Sequence, residues 1–508
     1  MSIPSYVPAS LAALFQEQAL VRSFEDSLQP NLLYNSLAPD PQEWPAHAAL
    51  SFKVTNDGYY DVIATPSPTT VDPTPQTRGA EQFLMTLVSY QGTADIDATN
   101  AQNMLADYAT QTYGRLGLQA AQVVDAAQRA IYTSAAEAGW TVADEADEGA
   151  TSIRVARLNG FTTNFDATSA LRTHDPVSPT NPLAIKVNGV DNTVIGFTAD
   201  NVIAVDQGVG VKDEIGPGTL VLGTPLAAAI PGRAPVVASN CSWVYRCGSG
   251  VDRDAGSIDD VIAPLSYVAI RQARAQFSQF GVRGMRQYGG RYACILSPSA
   301  HAQLEGDPEY RQLNQTLSIN DPAYVEGAVG VIANTMFIVS NNAPIPSQVN
   351  WFSGAPGALT RTPYTYGKIT NYGMPNVSTE TMGVELSRLG STSSANAIDH
   401  SVFFGDDAVK AFHQPHPLYG NVAQLQEIGI SGAMAEPYRV VNDSVVFETS
   451  FINLILVAAR NRTADKFPVT WQTKRSWTVK SDQISQMGGA SGGARYKRVL
   501  AIQSLASL

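Results

Sequence analysis

The sequence predicts an α+β chain built from several parts, on three observations. Across 97–138, apolar side chains recur at steps of three and four, the pattern of one long helix. Across 149–240 the chain breaks into short apolar runs separated by Gly and Pro, the pattern of an all-β segment. Across 289–344 two apolar strands bracket a short helix and a loop. At 508 residues the chain has material for two to four domains and a sizeable core.

Taken in order, Ser10–Leu28 carries Leu11, Leu14, Phe15, Ala19 and Phe24 at helical spacing and meets Pro30, so a short amphipathic helix is expected. Residues 31–45 read as irregular and polar. Ser51–Ala64 alternates around Asn56-Asp57-Gly58, which signals a hairpin. Four prolines, Pro66, Pro68, Pro73 and Pro75, then exclude helix and central strand, and Gln82–Tyr90 returns as an apolar strand. The result is a long proline-stiffened loop between two extended arms. In the long helix, Leu105, Ala109, Tyr113, Leu116, Ala120, Val123, Ala127 and Ile131 form the stripe. Asp97 or Thr99 can cap its start and Gly139 its end. About forty residues would span about 60 Å. Gly114 and Gly117 mark a slight bend or a close helix-sheet contact.

Leu183–Val187 and Val190–Val194 flank Asn188-Gly189, a strong two-residue hairpin signal. The flanks of this β segment, Asp144–Gly149 and Ala238–Asp254, read as linkers. Ser257–Phe280 returns to helix, with Ile258, Val261, Ile262, Leu265, Val268, Ala269, Ala273 and Phe277 on one face. Arg291–Leu296 is then a strand that Pro298 stops, and Ser297 or Ser299 caps the helix bearing Ala300, Ala302 and Leu304. Gly306-Asp307-Pro308 closes that helix, and a polar excursion leads to Gly327–Gly330 and a second strand, Met336–Val339. Phe447–Ala459 suits a buried strand or helix. Residues 460–508 hold about nine basic and two acidic side chains, a candidate contact for DNA or acidic neighbours.

The stretch Gly289, Gly290, Tyr292, Pro298, Leu304, Asp307, Gly327, Gly330, Asn341, Asn342, Ala343 and Pro344 resembles the middle of tailed-phage major capsid proteins, in the branch typified by coliphage N-four. Phe403-Phe404-Gly405-Asp406-Asp407-Ala408 resembles the same family's aromatic-Gly-acid-acid-Ala step. The family usually has His-Pro where this chain has Ser297-Pro298. The resemblance implies a Hong Kong 97-like coat fold. It divides the chain into an N-terminal arm (1–50), an extended loop (51–96), a spine helix (97–140) and an inserted β domain with linkers (141–254). A peripheral helix and central axial domain (255–445) and C-terminal strands with a basic tail (446–508) complete it. It further implies pentamers and hexamers closing into an icosahedral head around double-stranded DNA, with a portal, a separate scaffold protein and a decoration protein as partners. The location implied is the virion, assembled in the bacterial cytoplasm. One coat protein crosslinks its loop through lysine; Thr65–Ala80 holds only Arg78, so non-covalent stabilisation is expected.

Composition is consistent with that reading without selecting it. A net charge of -12 argues against ordinary nucleic-acid binding, which needs clustered Lys and Arg, yet it suits a container that must not grip its cargo. Charged residues make up only 15%, so much surface is neutral or covered by neighbours. Cys241, Cys247 and Cys294 lack metal-ligand spacing and fit a reducing compartment. No signal peptide, membrane span, cofactor motif or catalytic motif is read, so no catalytic, cofactor or metal residues are assigned and no membrane partner is expected. His413 and His416 are separated by Gln414-Pro415, and Asp406-Asp407 on one strand would point to opposite faces. Two alternatives stay open: another phage structural protein of tail or adhesion type, and a hydrolase without a sequence motif.

Overall fold

The computed structural model describes residues 19–28, 33–37, 41–45, 50–57, 80–97, 108–165, 171–200, 202–204, 210–212, 218–232, 234–248, 250–251, 263–315, 331–339, 352–353, 360–361, 397–414, 439–441, 444–449, 452–457, 466–481 and 495–506. The expectations for Ser10–Gln18, the proline-rich loop, Gly327–Gly330 and Asn341–Pro344 lie outside them.

The long helix runs Tyr108–Ala136, 29 residues and about 43 Å. The expected cap Thr99 and the first stripe residue, Leu105, lie outside the described residues. Asp97, the other cap candidate, ends the strand Val88–Asp97 and pairs there with Lys466. Ala109, Tyr113, Leu116, Ala120, Val124 and Ala127 are buried, whereas Val123 and Ile131 lie at the margin of the stripe. The small residues allow close approach by the helix Ala19–Leu28. A Cβ on Gly117 would strike the Phe24 carbonyl, so the glycine marks a contact with another helix rather than the expected bend or helix-sheet contact. Ser23 Oγ donates to Thr110 O at 3.0 Å, and Tyr34 N donates to Asp125 Oδ1 at 2.7 Å, fixing the entering chain along the helix.

Beneath the helix lies a long sheet ordered Gln42–Glu43, Val409–Gln414, Lys466–Val479, Ile452–Val457, Ser444–Thr449 and Arg439–Val441, with Val88–Asp97 also paired to Lys466–Val479. Phe447–Ala459 is thereby resolved as two antiparallel strands. Trp471 on the central strand is fully buried and donates Nε1–H to Gln119 Oε1 at 3.2 Å.

A second sheet is ordered Gly250–Val251, Val244–Arg246, Val499–Ala506, Ala397–Phe404, Tyr292–Leu296, Thr335–Val339 and Val331–Ile332. Its middle strands are buried on both faces. Ala293, Ile295, Val402, Phe404, Val499 and Ala501 join the core around the long helix. Tyr292, Cys294, Leu296, Phe403, Leu500 and Ile502 join a second core with the helices Tyr267–Gln279 and Pro298–Gly306. Such strands read as continuous apolar runs because both sides need filling. Ser297 caps the second of these helices, accepting from Ala300 N at 3.0 Å with Pro298 in the first turn. Asp307 ends it, and the expected polar excursion begins with a further helix, Pro308–Gln315. Of the helix expected over Ser257–Phe280, Tyr267–Gln279 is helical, and residues 257–262 lie outside the described residues. The helix begins after Pro264 with Ser266 as cap, burying Ile270 and leaving Val268 44% exposed.

The chain leaves the long helix through Gly139, whose φ of +79° an L side chain rarely adopts, and enters a closed barrel. Its strands go round as Val190–Ala199, Gly218–Leu222, Ser152–Val155, Trp140–Ala143, Ala234–Ala238 and Leu183–Val187. Asn188 (φ 49°) and Gly189 (φ 83°) form the turn with both central residues at positive φ that this dipeptide favours. Asp144–Gly149 is not a linker. It is stitched to the barrel by Asp144 N to Arg154 O (2.8 Å), Ala146 N to Ile230 O (3.3 Å) and Gly149 N to Leu226 O (2.9 Å).

Candidate interaction site

The sequence pointed to the extended loop, whose described part includes an antiparallel strand pair, here called the ribbon, on one side of a four-stranded sheet that continues through Leu171–Pro176 and Thr163–Phe165. Ser51–Asp57 pairs antiparallel with Ala80–Thr86, from Ser51↔Thr86 to Asp57↔Ala80. The hairpin expected at Asn56-Asp57-Gly58 does not form there. Asn56 and Asp57 sit inside the strand opposite Glu81 and Ala80, since strand pairing outweighs a local turn preference. One face buries Phe83 and Met85 with Trp44, Leu87 and Phe412. Trp44, Phe52 and Phe412 meet edge to face, with centroids 4.5 to 6.1 Å apart. Leu84 on the other face is 57% exposed, and Ser51–Asp57 forms an edge of its sheet.

The ribbon is rooted by a buried polar cluster. Glu81 shares the inward parity of Phe83 and Met85, and its Oε1 accepts from His174 Nε2 and from Ser481 Oγ. Ser481 Oγ lies 3.0 Å from His174 Nε2, and Ser481 O accepts from Asn56 Nδ2 at 3.2 Å. Burial pushes the His174 imidazole below its ordinary value, outweighing the pull of Glu81, and Arg495 adds to the depression. Ser, His and Glu together evoke nucleophilic catalysis. Here the acid and the serine share one ring nitrogen, whereas a triad places them on opposite nitrogens, and Ser481 is 2% exposed. The cluster clamps the ribbon to the C-terminal strands.

A second buried network joins the long helix, the barrel and the second sheet. Glu137 binds Arg157 Nη1 through Oε2 at 2.6 Å, while its Oε1 accepts from His400 Nδ1 and, at 3.1 Å, from Gln503 Nε2. Gln503 Oε1 accepts from Arg246 Nε at 3.1 Å, and Arg246 stacks 4.4 Å over Trp140. Burial alone would raise the Glu137 carboxyl, but His400 and Arg157 hold it well below the usual carboxylate range.

Asp406-Asp407 does not lie on a strand. It forms the turn between Ala397–Phe404 and Val409–Gln414, with Asp407 at φ 52°. Asp407 pairs with Lys480 (2.7 Å) and Lys410 (3.2 Å), and Asp406 with Arg286 (3.4 Å). Burial raises the Asp407 carboxyl, but the Lys480 hydrogen bond and charge, with Lys410, bring it below its ordinary value. The basic C-terminal region is partly consumed inside the fold. Arg475, Arg495 and Lys497 are buried, and burial lowers the Arg475 pKa to about 10. His413 is buried in its strand, and His416 lies outside the described residues. Cys241, Cys247 and Cys294 are buried free thiols, and burial pushes Cys247 up to about 12.

The sequence reading missed Glu81, His174, Ser481, Glu137, Arg157 and His400. Only one signal was available: a Glu at an inward position of an alternating strand, as at Glu81.

No family model matches the chain, and no curated protein matches it. Solved structures do. The capsid of Ralstonia phage GP4 aligns at TM-score 0.42 and 11% identity, over 92% of this chain and 87% of its own. The cyanophage Pam1 capsid aligns at 0.41 and 8%, over 91% and 86%. The cyanophage P-SCSP1u capsid aligns at 0.39 and 10%, over 92% and 87%.

Proposed function

We propose that the chain is the major capsid subunit of a tailed phage, assembling as pentamers and hexamers into an icosahedral shell around double-stranded DNA. The observation that carries this reading is the ribbon. Its two strands are clamped at one end to the C-terminal strands by Glu81, His174 and Ser481. Among the described residues, Ser51–Asp57 has no strand partner on its outer side, and Leu84 is exposed. An isolated enzyme gains nothing from a clamped strand pair with an open edge, which is a liability for aggregation unless a neighbour covers it. A subunit of a shell uses it to lie over the next copy. The element order supports the same reading: arm, ribbon, long helix across a long sheet, then a strand-helix-strand unit carrying the residues that resemble the coat family. The role is structural rather than catalytic. The partners are other copies of the chain, a portal, a separate scaffold protein, a decoration protein and packaged DNA. The site of action is the virion, after assembly in the bacterial cytoplasm.

Deleting Pro66–Thr77 tests the reading. The variant is expected to keep the circular-dichroism spectrum and melting temperature of the parent subunit while losing closed shells in negative-stain images and in sedimentation. Shells of unchanged stability would overturn the role of the ribbon. A parent chain that stays a small oligomer even with its scaffold would overturn the capsid assignment.

A further inference from the structure

One end of the second sheet carries a concentration of positive charge that the sequence did not announce, because its members come from four separate segments. Arg283, Arg286 and Arg291 lie exposed on the loop Gly281–Arg291. Arg498 Nη1 donates to Asp406 O at 2.8 Å, and Arg286, Lys410 and Lys480 contact the Asp406-Asp407 turn. Asp406 N donates to Arg283 O at 2.8 Å, which brings the arginine loop onto the same turn. The carboxylates among these groups are Asp406 and Asp407, so cations outnumber them by four on a chain whose net charge is -12.

The loop is rigidly built. Met285 is buried beneath it, Met285 N donates to Arg291 O at 2.9 Å, and Gly290 N donates to Met285 O at 3.0 Å. A Cβ on Gly284 would strike Gly290 O, so the two limbs of the loop press together where only glycine fits. The arginine forks are therefore displayed from a fixed base.

We propose that this surface binds the phosphate backbone of a nucleic acid, without reading its sequence. Planar guanidinium groups match phosphate oxygens, and exposed Arg and Lys that touch only backbone give affinity without base discrimination. A protein partner fits less well. Protein interfaces centre on apolar and aromatic anchors with charge at the rim. The large apolar side chains exposed among the described residues are Leu84, Leu118, Val190 and Val268, none of which belongs to this loop or turn. The chain's overall negative charge keeps the attraction local and weak. As a surface for packaged DNA the inference rests on the capsid reading, although the binding itself does not require it.

The test is fluorescence anisotropy of a labelled 20-base-pair DNA duplex with the full chain over a salt series from about 0.05 to 0.2 M. The triple variant R283A/R286A/R291A is expected to bind about tenfold more weakly at the low end. Its log-log salt slope should be shallower by about three, at roughly 0.9 per lost phosphate contact. The charge-preserving R283K/R286K/R291K should keep most of the affinity. Unchanged melting temperature and circular dichroism check that the variants fold. Equal affinity and slope for parent and alanine variant would overturn the proposal, as would an alanine variant that loses shells but keeps DNA affinity. Salt-sensitive binding that falls in the alanine variant of a chain that never forms shells would support the surface and sink the capsid reading.

Discussion

The barrel and the ribbon are both made of β-strands, and they solve the edge problem in opposite ways. The barrel closes on itself, so its strands have no unpaired side. It fills its interior with its own Phe161, Leu183, Val194, Leu220, Leu222 and Val236. The ribbon leaves Ser51–Asp57 at an edge and Leu84 in solvent, and it is held by the small aromatic group of Trp44, Phe52 and Phe412 and the Glu81 clamp. A region complete within one chain is free to be an insertion. A region incomplete within one chain asks for a neighbour. Stability of the subunit and competence for assembly should therefore map to different residues.

The largest expected effect is on the barrel side. Phe161 is fully buried, and Phe161→Ala removes a ring whose space the closed wall cannot collapse to fill, costing about 3–5 kcal/mol. The measurement is urea or thermal unfolding of the isolated subunit, set beside shell yield per folded subunit. A lowered transition with normal shell yield sharpens the division. Shell loss in proportion to stability loss would break it.

A smaller effect is expected at the root of the ribbon as pH falls. The folded His174 imidazole titrates below its ordinary value of 6.5, chiefly through burial. In acid the unfolded chain therefore takes up the proton more readily than the folded chain, and unfolding gains on folding as pH drops below that value. Melting temperature measured from pH 7.5 downward should fall more steeply in the parent than in His174→Gln, which keeps a polar side chain and has no proton to gain. Parallel curves would mean that the clamp does not contribute through His174.

How much of this was legible in advance follows the range of the interactions. Ser297-Pro298 announced its helix because the cap, the missing N–H and the first turn lie within four residues. Asp97 showed only a local capping preference, while the strand that pairs with it, opposite Lys466, lies far along the chain. Asn56-Asp57 misled because a local turn preference was outweighed by pairing with a strand that returns beyond the proline-rich segment. The clamp and the Glu137 network were out of reach. Glu81 meets His174 across 93 residues and Ser481 across 400, and Glu137 meets His400 across 263. Isolated polar residues carry no pattern that points to partners so far away.

The smallest effect returns to the barrel, at the turn that the sequence made plain. Gly189 sits at φ 83° with nothing within 4 Å of the place a Cβ would occupy. Gly189→Ala therefore meets no clash, and its cost is only that of holding an L residue in the left-handed region, about 1–2 kcal/mol. Asn188 beside it tolerates positive φ through its short polar side chain, so the turn should keep its type and the register of Leu183–Val187 with Val190–Ala199. Thermal unfolding of the variant should show a small downward shift, with shell yield unchanged. A larger loss would mean that the turn sets the register of the whole barrel, and closure of the wall would then depend on two residues rather than on its apolar interior.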